Sequence, residues 1–216
     1  MSFDCPLCLN QNAIFEFHQK LHKRDFYRCP DCDLTFVDRS QLLQVVVEKS
    51  RYDLHENHIR SKGYERFLRR LVDPLIANIS NKDARGLDYG CGPYPMLIEI
   101  MGEEGFTNFM GFDPIYANKN SHFNQKYDFL TLCEVIEHMN NPRQEIERIA
   151  HLLNSDALFV ISTGLRTANI DLGKWHYIND DTHINLFSLK TFHWIQEFFS
   201  FDLHSQEKDL IILLKK

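Results

Sequence analysis

The stretch Leu87-Asp88-Tyr89-Gly90-Cys91-Gly92 decides the fold of this 216-residue chain. Residues 86–89 predict a short buried strand, and residues 96–101 predict the helix that follows it. A glycine-rich turn between a strand and a helix lets the backbone approach a ligand closely, and the helix N-terminus offers unpaired N–H groups. The turn therefore predicts a ligand-binding edge in an α/β sheet.

Strand and helix patterns continue to alternate beyond this turn. A strand over 106–112 ends in Asp113, about 20 residues past the glycines, where an acid suits a ribose diol. Further strands are predicted at 127–133 and 157–162, helices at 142–153 and 188–198, and a closing antiparallel hairpin at 199–205 and 209–214. A glycine turn with such an acid fits either a dinucleotide fold or a methyltransferase. The third glycine of the dinucleotide fingerprint is missing, because Tyr94 and Pro95 occupy that stretch.

The composition excludes several other classes of protein. Hydrophobic residues make up 44% and charged residues 25%, which excludes long disorder, collagen-like repeats and a coiled coil as the main architecture. The formal net charge of −6 gives no global basic field that would indicate nucleic acid. We expect a cytoplasmic protein without a membrane segment, because the first residues do not resemble a signal peptide and no apolar run approaches about 18 residues.

Four of the six cysteines lie near the start of the chain, as two Cys-x-x-Cys pairs. Cys5 and Cys8 form the first pair, and Cys29 and Cys32 form the second, with positions 9–28 between them. Four thiolates at this spacing are typical of a closed tetrahedral Zn²⁺ site of the structural kind. Residues 1–39 are therefore predicted to form a zinc ribbon around a hairpin; two reduced cysteine pairs in a small β unit are the alternative.

A basic cluster lies at the predicted tip of this hairpin. Lys20, His22, Lys23 and Arg24 are either a phosphate contact or solvated turn residues. We favour a structural or substrate-positioning role for the ribbon over contact with nucleic acid.

Residues 40–80 predict a helical connector that also serves as a lid. Ser40 is a plausible N-cap for its first helix, and Tyr52 and His55 are candidates to cover the cleft. The second helix presents an apolar stripe to the core and a basic face to solvent.

Three motifs in order resemble class I S-adenosylmethionine-dependent methyltransferases. They are Leu87-Asp-Tyr-Gly-Cys-Gly92, Gly111-Phe-Asp113 and Tyr127-Asp-Phe-Leu-Thr-Leu-Cys-Glu-Val-Ile-Glu-His138. The late segments Trp175-His-Tyr177 and Thr182-His183 match one subgroup, some members of which carry an N-terminal zinc ribbon. The resemblance implies a Rossmann-like seven-stranded sheet over residues 81–216, with S-adenosylmethionine as the cofactor.

The resemblance also assigns residues to the cofactor. Asp88, the Gly90-Cys91-Gly92 turn and Asp113 would hold its methionine and ribose parts, and Cys133 and Glu134 would flank the sulfonium. Only positions 114–126 separate Asp113 from Tyr127, so the usual next helix and strand are shortened. Phe123 is the candidate for the adenine contact, and Cys91 is interpreted as loop packing rather than as a nucleophile.

Histidines are the candidates for chemistry. A base is needed when the acceptor loses a proton, and His138, His176 and His183 lie nearest the expected cleft. The Glu134-x-x-Glu137-His138 run also resembles a metal-binding segment of certain O-methyltransferases, which would place a second divalent ion there, with His183 completing the shell. The alternative is that these acids line the cofactor pocket and cap the following turn.

Three functions fit these residues. The favoured one is methyl transfer to a small-molecule acceptor, at an oxygen, nitrogen or carbon. The second is an RNA methyltransferase, with or without metal-assisted 2′-O-transfer, against which the acidic charge argues. The third is a non-catalytic binding protein that keeps the fold, against which the retained glycines and Asp113 argue. No oligomeric state is predicted.

Overall fold

The computed structural model describes residues 4–53 and 60–216. The central sheet has six strands: β4 (Gly86–Tyr89), β5 (Phe109–Phe112), β6 (Tyr127–Cys133), β7 (Leu153–Ser162), β9 (Phe201–Glu207) and β10 (Leu210–Lys215). Their order is β5-β4-β6-β7-β10-β9. Strands β5, β4, β6 and β7 run parallel, and β10 is antiparallel to both β7 and β9. This is the α/β sheet that the sequence predicts, including the closing antiparallel hairpin.

Helices cover both faces of this sheet. They are α2 (Lys62–Asn78), α3 (Met96–Glu103), α4 (Pro142–Leu152) and α5 (Leu189–Phe198), and a further helix, α1 (Val45–Tyr52), precedes them in the chain. Leu158 and Val160 of β7 pack with the apolar stripes of α2 and α3, whereas Phe159 and Ile161 pack with α4 and α5. The alternation follows from the two-residue period of a strand, which gives each central strand two buried faces.

The sheet has six strands where the resemblance implied seven. Positions 114–126, between Asp113 and Tyr127, leave no room for a helix and a further strand. They form a tight turn closed by a bridge between Asp113 and Ala117, followed by a single 3-10 turn at Asn120–Asn124. The missing strand is therefore the one that would follow Asp113, at the β5 edge.

The N-terminal segment forms a second sheet with a strand from the far end of the chain. Its strands are β1 (Ile14–Gln19), β2 (Arg24–Arg28), β3 (Thr35–Val37) and β8 (Asn185–Leu186), in the order β1-β2-β3-β8. Leu7, Leu34 and Phe36 of this segment share one buried cluster with α4 and α5. The segment therefore packs directly on the α/β sheet; division of the chain at residues 39 and 80 remains a prediction.

The start of the connector differs from the prediction at Ser40. Asp38, not Ser40, caps a short 3-10 turn at Arg39–Gln41, because its carboxylate accepts a hydrogen bond from the Ser40 backbone N–H. Helix α1 begins only at Val45. Within the described residues, no helix is both long and apolar enough to cross a membrane.

Candidate active site

A cleft of about 680 Å³ opens at the carboxyl ends of β4, β5 and β6. This is the edge where ligands bind in sheets of this kind. Its walls combine the glycine turn, the end of α1, the first turns of α2, and two histidines. The residues of the sequence predictions that line it are Asp88, Gly90, Cys91, Gly92, Asp113, Cys133, Glu134, His138 and His183.

The glycine turn is shaped to hold a ligand against the backbone. Gly90 has φ +87°, and a Cβ built there would lie 2.5 Å from the Val135 side chain. Gly92 has φ +65°, and nothing lies within 4 Å of a Cβ built there. Only glycine takes such φ values without strain, and the open space beside Gly92 leaves room for a bound group. The turn thus fits close approach by a nucleoside cofactor.

Two aspartates stand at the same end of the cleft in different environments. Asp113 accepts hydrogen bonds from the Gly92 N–H (3.0 Å) and from the Ile115 and Tyr116 N–H groups (2.8 and 2.9 Å). Asp88 is 4% exposed, accepts one from the Thr131 hydroxyl at 2.6 Å, and burial raises its pKa to about 7. Asp113 therefore offers a carboxylate fixed by backbone donors, suited to ribose hydroxyls, next to a carboxyl held in an apolar site.

Both cysteines of this region are packed thiols. The Cys91 sulfur lies 2.7 Å from the position that a Cβ on Gly111 would take, so it fills the space under that glycine. Burial raises the pKa of Cys91 to about 12 and that of Cys133 well above its ordinary value. A thiol in this state is a poor nucleophile, which agrees with the packing interpretation of Cys91.

The adenine candidate from the sequence lies outside the cleft. The centre of the Phe123 ring lies 4.8 Å from that of Phe112 and 6.5 Å from that of Tyr89, and Phe123 is not among the residues that line the cleft. The shortened segment after Asp113 places it there. Phe112, Pro114 and Ile115 occupy the wall instead.

Just after the carboxyl end of β6, two glutamates share a buried network. The Tyr177 hydroxyl donates to Glu137 at 2.5 Å, and the Thr163 hydroxyl donates to the other Glu137 oxygen at 3.0 Å. The Ser162 hydroxyl donates to Glu134 at 2.5 Å. Burial raises the pKa of Glu137, and burial together with Glu137 raises that of Glu134 to about 7. Tyr177, which the sequence indicates only as the last residue of the Trp175-His-Tyr177 segment, is the residue that joins these acids.

Two histidines meet above this network. The His138 and His183 rings lie 4.8 Å apart. Nδ1 of His183 lies 2.7 Å from the Tyr177 carbonyl oxygen, and Nδ1 of His138 lies 3.0 Å from that of Thr182. A carbonyl can only accept, so each Nδ1 carries the proton when the ring is neutral. Burial and the neighbouring His138 lower the pKa of His183 to about 4.

His176 does not join this pair. It lies exposed at the start of the 3-10 turn His176–Asn179 and does not line the cleft. The turn points its neighbour Tyr177 inward, beneath His183 at a ring distance of 4.1 Å. From this segment it is Tyr177, rather than His176, that contacts Glu134 and Glu137.

Part of the candidate second metal site converges. Single ligand atoms of Glu137, His138 and His183 lie within 4.8 Å of one another. Glu134 is not in that group, because it turns toward Ser162. Both Glu137 oxygens already accept hydroxyl hydrogen bonds, so a cation here would have to compete with Tyr177 or Thr163.

The four N-terminal cysteines also converge. Their sulfurs lie within 4.8 Å of one another, with Cys5 3.5 Å from Cys32 and Cys8 3.3 Å from Cys29. A tetrahedral Zn²⁺ with Zn–S bonds of about 2.3 Å separates its sulfurs by about 3.8 Å. The two halves repeat each other, since the residue after each second cysteine has a positive φ, Leu9 at 66° and Asp33 at 62°. The donor set and its knuckle geometry fit a zinc ion.

Helix α1 covers the cleft from outside. Tyr52 lines the cleft and meets the His138 ring edge-on at 5.5 Å, and the Tyr116 hydroxyl donates to Asp53 at 2.6 Å. Arg51 pairs with Asp181 at 2.9 Å on the other rim. Tyr52 and these two contacts hold the end of α1 at the cleft; its role as a lid stays a prediction, and His55 lies outside the described residues.

Residues 57–206 match a family described as "Methyltransferase domain". This match covers well over half of the chain and includes the whole cleft apart from α1. The chain belongs to this methyltransferase family. It is an S-adenosylmethionine-dependent methyltransferase. Among curated proteins, no sequence matches the chain.

Solved structures repeat the fold. A Burkholderia thailandensis 1,6-didemethyltoxoflavin-N1-methyltransferase, solved with 1,6-didemethyltoxoflavin and S-adenosylhomocysteine, superposes with a TM-score of 0.56 at 14% identity, covering 94% of this chain and 100% of that one. An O-methyltransferase family protein from the same organism gives 0.52 at 11% identity, over 78% of this chain and 63% of its own length. At these identities the likeness establishes the fold alone.

Proposed function

We propose that this methyltransferase transfers a methyl group to an oxygen, nitrogen or carbon of a small molecule, with His183 as the base that takes the acceptor's proton. The observation that carries the proposal is the fixed ring of His183, which lines the same cleft as the glycine turn; we call its side of the cleft the acceptor end and that of the glycine turn the cofactor end. With its Nδ1–H donated to the Tyr177 carbonyl, the ring presents Nε2 as the proton acceptor.

Different residues of the protein bind the cofactor and cover the cleft. Gly90, Gly92 and Asp113 hold the cofactor, and Tyr52 covers the space between it and the histidines. When bound, S-adenosylmethionine supplies an electrophilic methyl group and a neutral leaving group, so alignment provides most of the catalysis. Nε2 of His183 would take the proton that the acceptor loses when it is methylated.

The lining of the cleft favours an uncharged or cationic acceptor with an apolar face. Tyr52, Tyr64 and Phe67 supply aromatic surface. Among the described lining residues Arg148 is the single arginine or lysine, and it pairs with Glu145 at 2.9 Å. A phosphate-rich acceptor such as RNA would need several unpaired cations, which supports the small molecule over the RNA alternative. The ligand named for the toxoflavin methyltransferase structure is also a small molecule.

We further propose that Cys5, Cys8, Cys29 and Cys32 hold a structural zinc. The repeated knuckles and the closed shell of four sulfurs support this, because such a site leaves no open position for chemistry. A cytoplasmic location belongs to the same proposal, since free paired thiols persist in a reducing compartment.

Metal-assisted transfer is the second candidate function. The convergence of Glu137, His138 and His183 favours it, because a divalent ion there would grip the acceptor oxygen. Metal analysis of the purified protein separates the two. About one zinc per chain, unchanged in Glu137→Gln, supports the metal-free base, whereas a second ion that Glu137→Gln removes supports the metal.

Cofactor binding is tested by calorimetry with S-adenosylhomocysteine. Asp113→Ala should weaken binding at least about tenfold, since it removes the acid at the ribose position. Glu147→Ala, an exposed acid on α4, is the matched control and should bind as the wild type does. Absence of binding by the wild-type protein would contradict its assignment as an S-adenosylmethionine-dependent enzyme.

The acceptor is sought in a metabolite screen for products that gain a methyl group. We expect wild-type protein to give such a product, and His183→Gln to lose it while still binding S-adenosylhomocysteine. A product formed equally by both proteins would exclude His183 as the base.

A further inference from the structure

Arg24 differs from the other residues of the basic hairpin tip. The sequence groups it with Lys20 and Lys23 as a candidate phosphate contact, and both lysines are exposed. Arg24, however, is 4% exposed at the start of β2, so its guanidinium is withdrawn from any phosphate in solvent.

The Arg24 guanidinium donates five hydrogen bonds. Four of them go to main-chain carbonyl groups of a single segment, residues 178–183, which lies far from Arg24 in the sequence. These are Nη2 to Ile178 (2.8 Å) and Asp180 (3.0 Å), and Nη1 to Asp181 (2.8 Å) and His183 (3.2 Å). The fifth joins Nε to the Gln19 side chain at 2.9 Å. Four carbonyl oxygens that point at one centre repel one another, and a buried cation stabilises that arrangement.

The same segment carries His183. Its ring donates from Nδ1 to the Tyr177 carbonyl, and its own carbonyl oxygen accepts from Arg24. The Gln19 amide adds a hydrogen bond to the Ile178 carbonyl, and Nε2 of His22 lies 2.9 Å from that of Asn179. The hairpin β1–β2 therefore fixes the backbone on both sides of the ring that faces the cleft.

We infer that Arg24 is a positioning residue, through which the N-terminal ribbon orients His183 at the acceptor end of the cleft. The inference rests on the proposed function, since it gives the ribbon a role in that chemistry without contact with the cofactor or the acceptor.

The chemistry of the side chain explains why arginine is needed. Burial lowers the pKa of Arg24 to about 10, so the group is still cationic at neutral pH. Its planar fork reaches four separate oxygens, whereas the compact ammonium of lysine cannot span them. Asp180 and Asp181 lie close enough to stabilise the charge.

The competing interpretation is that Arg24 only holds the hairpin together. The two differ in the state of the His183 ring. A positioned ring is a single Nδ1–H tautomer, and a released ring is a mixture of both tautomers, which nitrogen NMR of histidine-labelled protein distinguishes. The experiment uses the full chain, and His183→Gln assigns the signal.

Arg24→Gln, Arg24→Lys and the control Lys20→Gln are compared with the wild type. We expect the Nδ1–H tautomer in the wild type and in Lys20→Gln, and a mixture in both Arg24 variants. Amide hydrogen exchange of residues 178–183 should rise at least about tenfold in the Arg24 variants. S-adenosylhomocysteine affinity should stay within about twofold, because the cofactor end contains none of these contacts.

An unchanged tautomer and unchanged exchange in the Arg24 variants would overturn the inference. If Arg24→Gln does not fold, Arg24→Lys decides, since it keeps the charge and a donor for the hairpin. Failure of the proposed function is separate: the wild-type ring would be fixed as described, yet His183→Gln would still form methylated product.

Discussion

The two ends of the cleft are built in opposite ways. The cofactor end comes from one continuous segment, in which the glycine turn and Asp113 lie 21 positions apart and are joined by backbone hydrogen bonds. At the acceptor end, Tyr177 links Glu134 and Glu137 from 40 or more positions away, and Arg24 fixes His183 from 159 positions away. The cofactor end is formed by residues that are close in sequence. The acceptor end is formed by residues that are far apart in sequence, so we expect a substitution that disrupts one end to leave the other end intact.

The largest expected effect comes from removing the cysteine cluster. In Cys5→Ser/Cys8→Ser we expect about one zinc per chain to be lost, because two of four ligands are gone. Structural zinc contributes about 10 kcal/mol to folding in small zinc units, so amide exchange in β1–β3 should rise by more than about 100-fold. Exchange of residues 178–183 should rise with it, while the affinity for S-adenosylhomocysteine stays within about threefold.

Cys91→Ser is the matched control for this double variant, since Cys91 is a packed thiol outside the cluster. It should keep its zinc and the slow exchange of the N-terminal strands. A loss of S-adenosylhomocysteine affinity in Cys5→Ser/Cys8→Ser as large as the rise in amide exchange of β1–β3 would contradict the separation of the two ends.

The converse change is Gly90→Ala at the cofactor end. A Cβ there would meet Val135 at 2.5 Å, and φ +87° strains any L side chain. We expect calorimetry to show S-adenosylhomocysteine binding weakened by about 100-fold, with the His183 tautomer retained. Gly102→Ala in α3 is the control, because a Cβ there meets nothing within 4 Å; it should bind normally and melt slightly higher. Loss of the His183 tautomer in Gly90→Ala would show that the ends are coupled.

The same contrast explains what the sequence could predict. The glycine turn, Asp113 and the four cysteines are recognisable because short spacings place their groups together. In the structure, the glycine turn and Asp113 line one cleft and the four cysteine sulfurs lie within 4.8 Å of one another, while their roles stay predictions. The short gap between Asp113 and Tyr127 already indicated that the segment after Asp113 is shortened, although the predicted number of seven strands was wrong.

The acceptor end could not be predicted to the same depth. Arg24 looked like an exposed base at a hairpin tip, and only pairing of β3 with β8 brings residues 178–183 over it. Likewise, the choice between His176 and Tyr177 depends on the direction of one 3-10 turn, which no spacing rule fixes. The basic hairpin tip is the indication that the sequence does contain. An arginine beside a tight turn can bind main-chain carbonyl groups of a distant segment as readily as it binds a ligand.

A smaller effect concerns Asp88, whose buried carboxyl belongs to the cofactor end. Burial raises its pKa from 3.8 to about 7. Between these values the unfolded chain loses the proton that the folded state keeps, so this group lowers stability as pH rises through that window and by a constant amount above it. Asp88→Asn removes the penalty and still accepts from the Thr131 hydroxyl.

We therefore expect Asp88→Asn to unfold in urea with a larger free energy than the wild type, with a gain about 2.6 kcal/mol greater at pH 8 than at pH 5. Its S-adenosylhomocysteine affinity should fall. Asp128→Asn, at an exposed aspartate, is the control for the loss of a carboxyl group elsewhere on the sheet. A gain that is equal at both pH values would show that Asp88 is ionised in the folded protein at pH 5.

The smallest effect concerns the end of α1, where Arg51 and the following Asp53 each contact another part of the chain. Tyr116→Phe removes the hydrogen bond to Asp53 at the cofactor rim, and Arg51→Gln removes the ion pair with Asp181 at the acceptor rim. The first contact is exposed and the second only partly buried, so each is weak. If the ends are independent, Tyr116→Phe should weaken S-adenosylhomocysteine binding by about threefold, because it loosens the helix over the cofactor, while Arg51→Gln leaves that affinity unchanged. Equal weakening by both variants would instead show that α1 closes as one rigid cover, so that a contact at either rim is felt across the whole cleft.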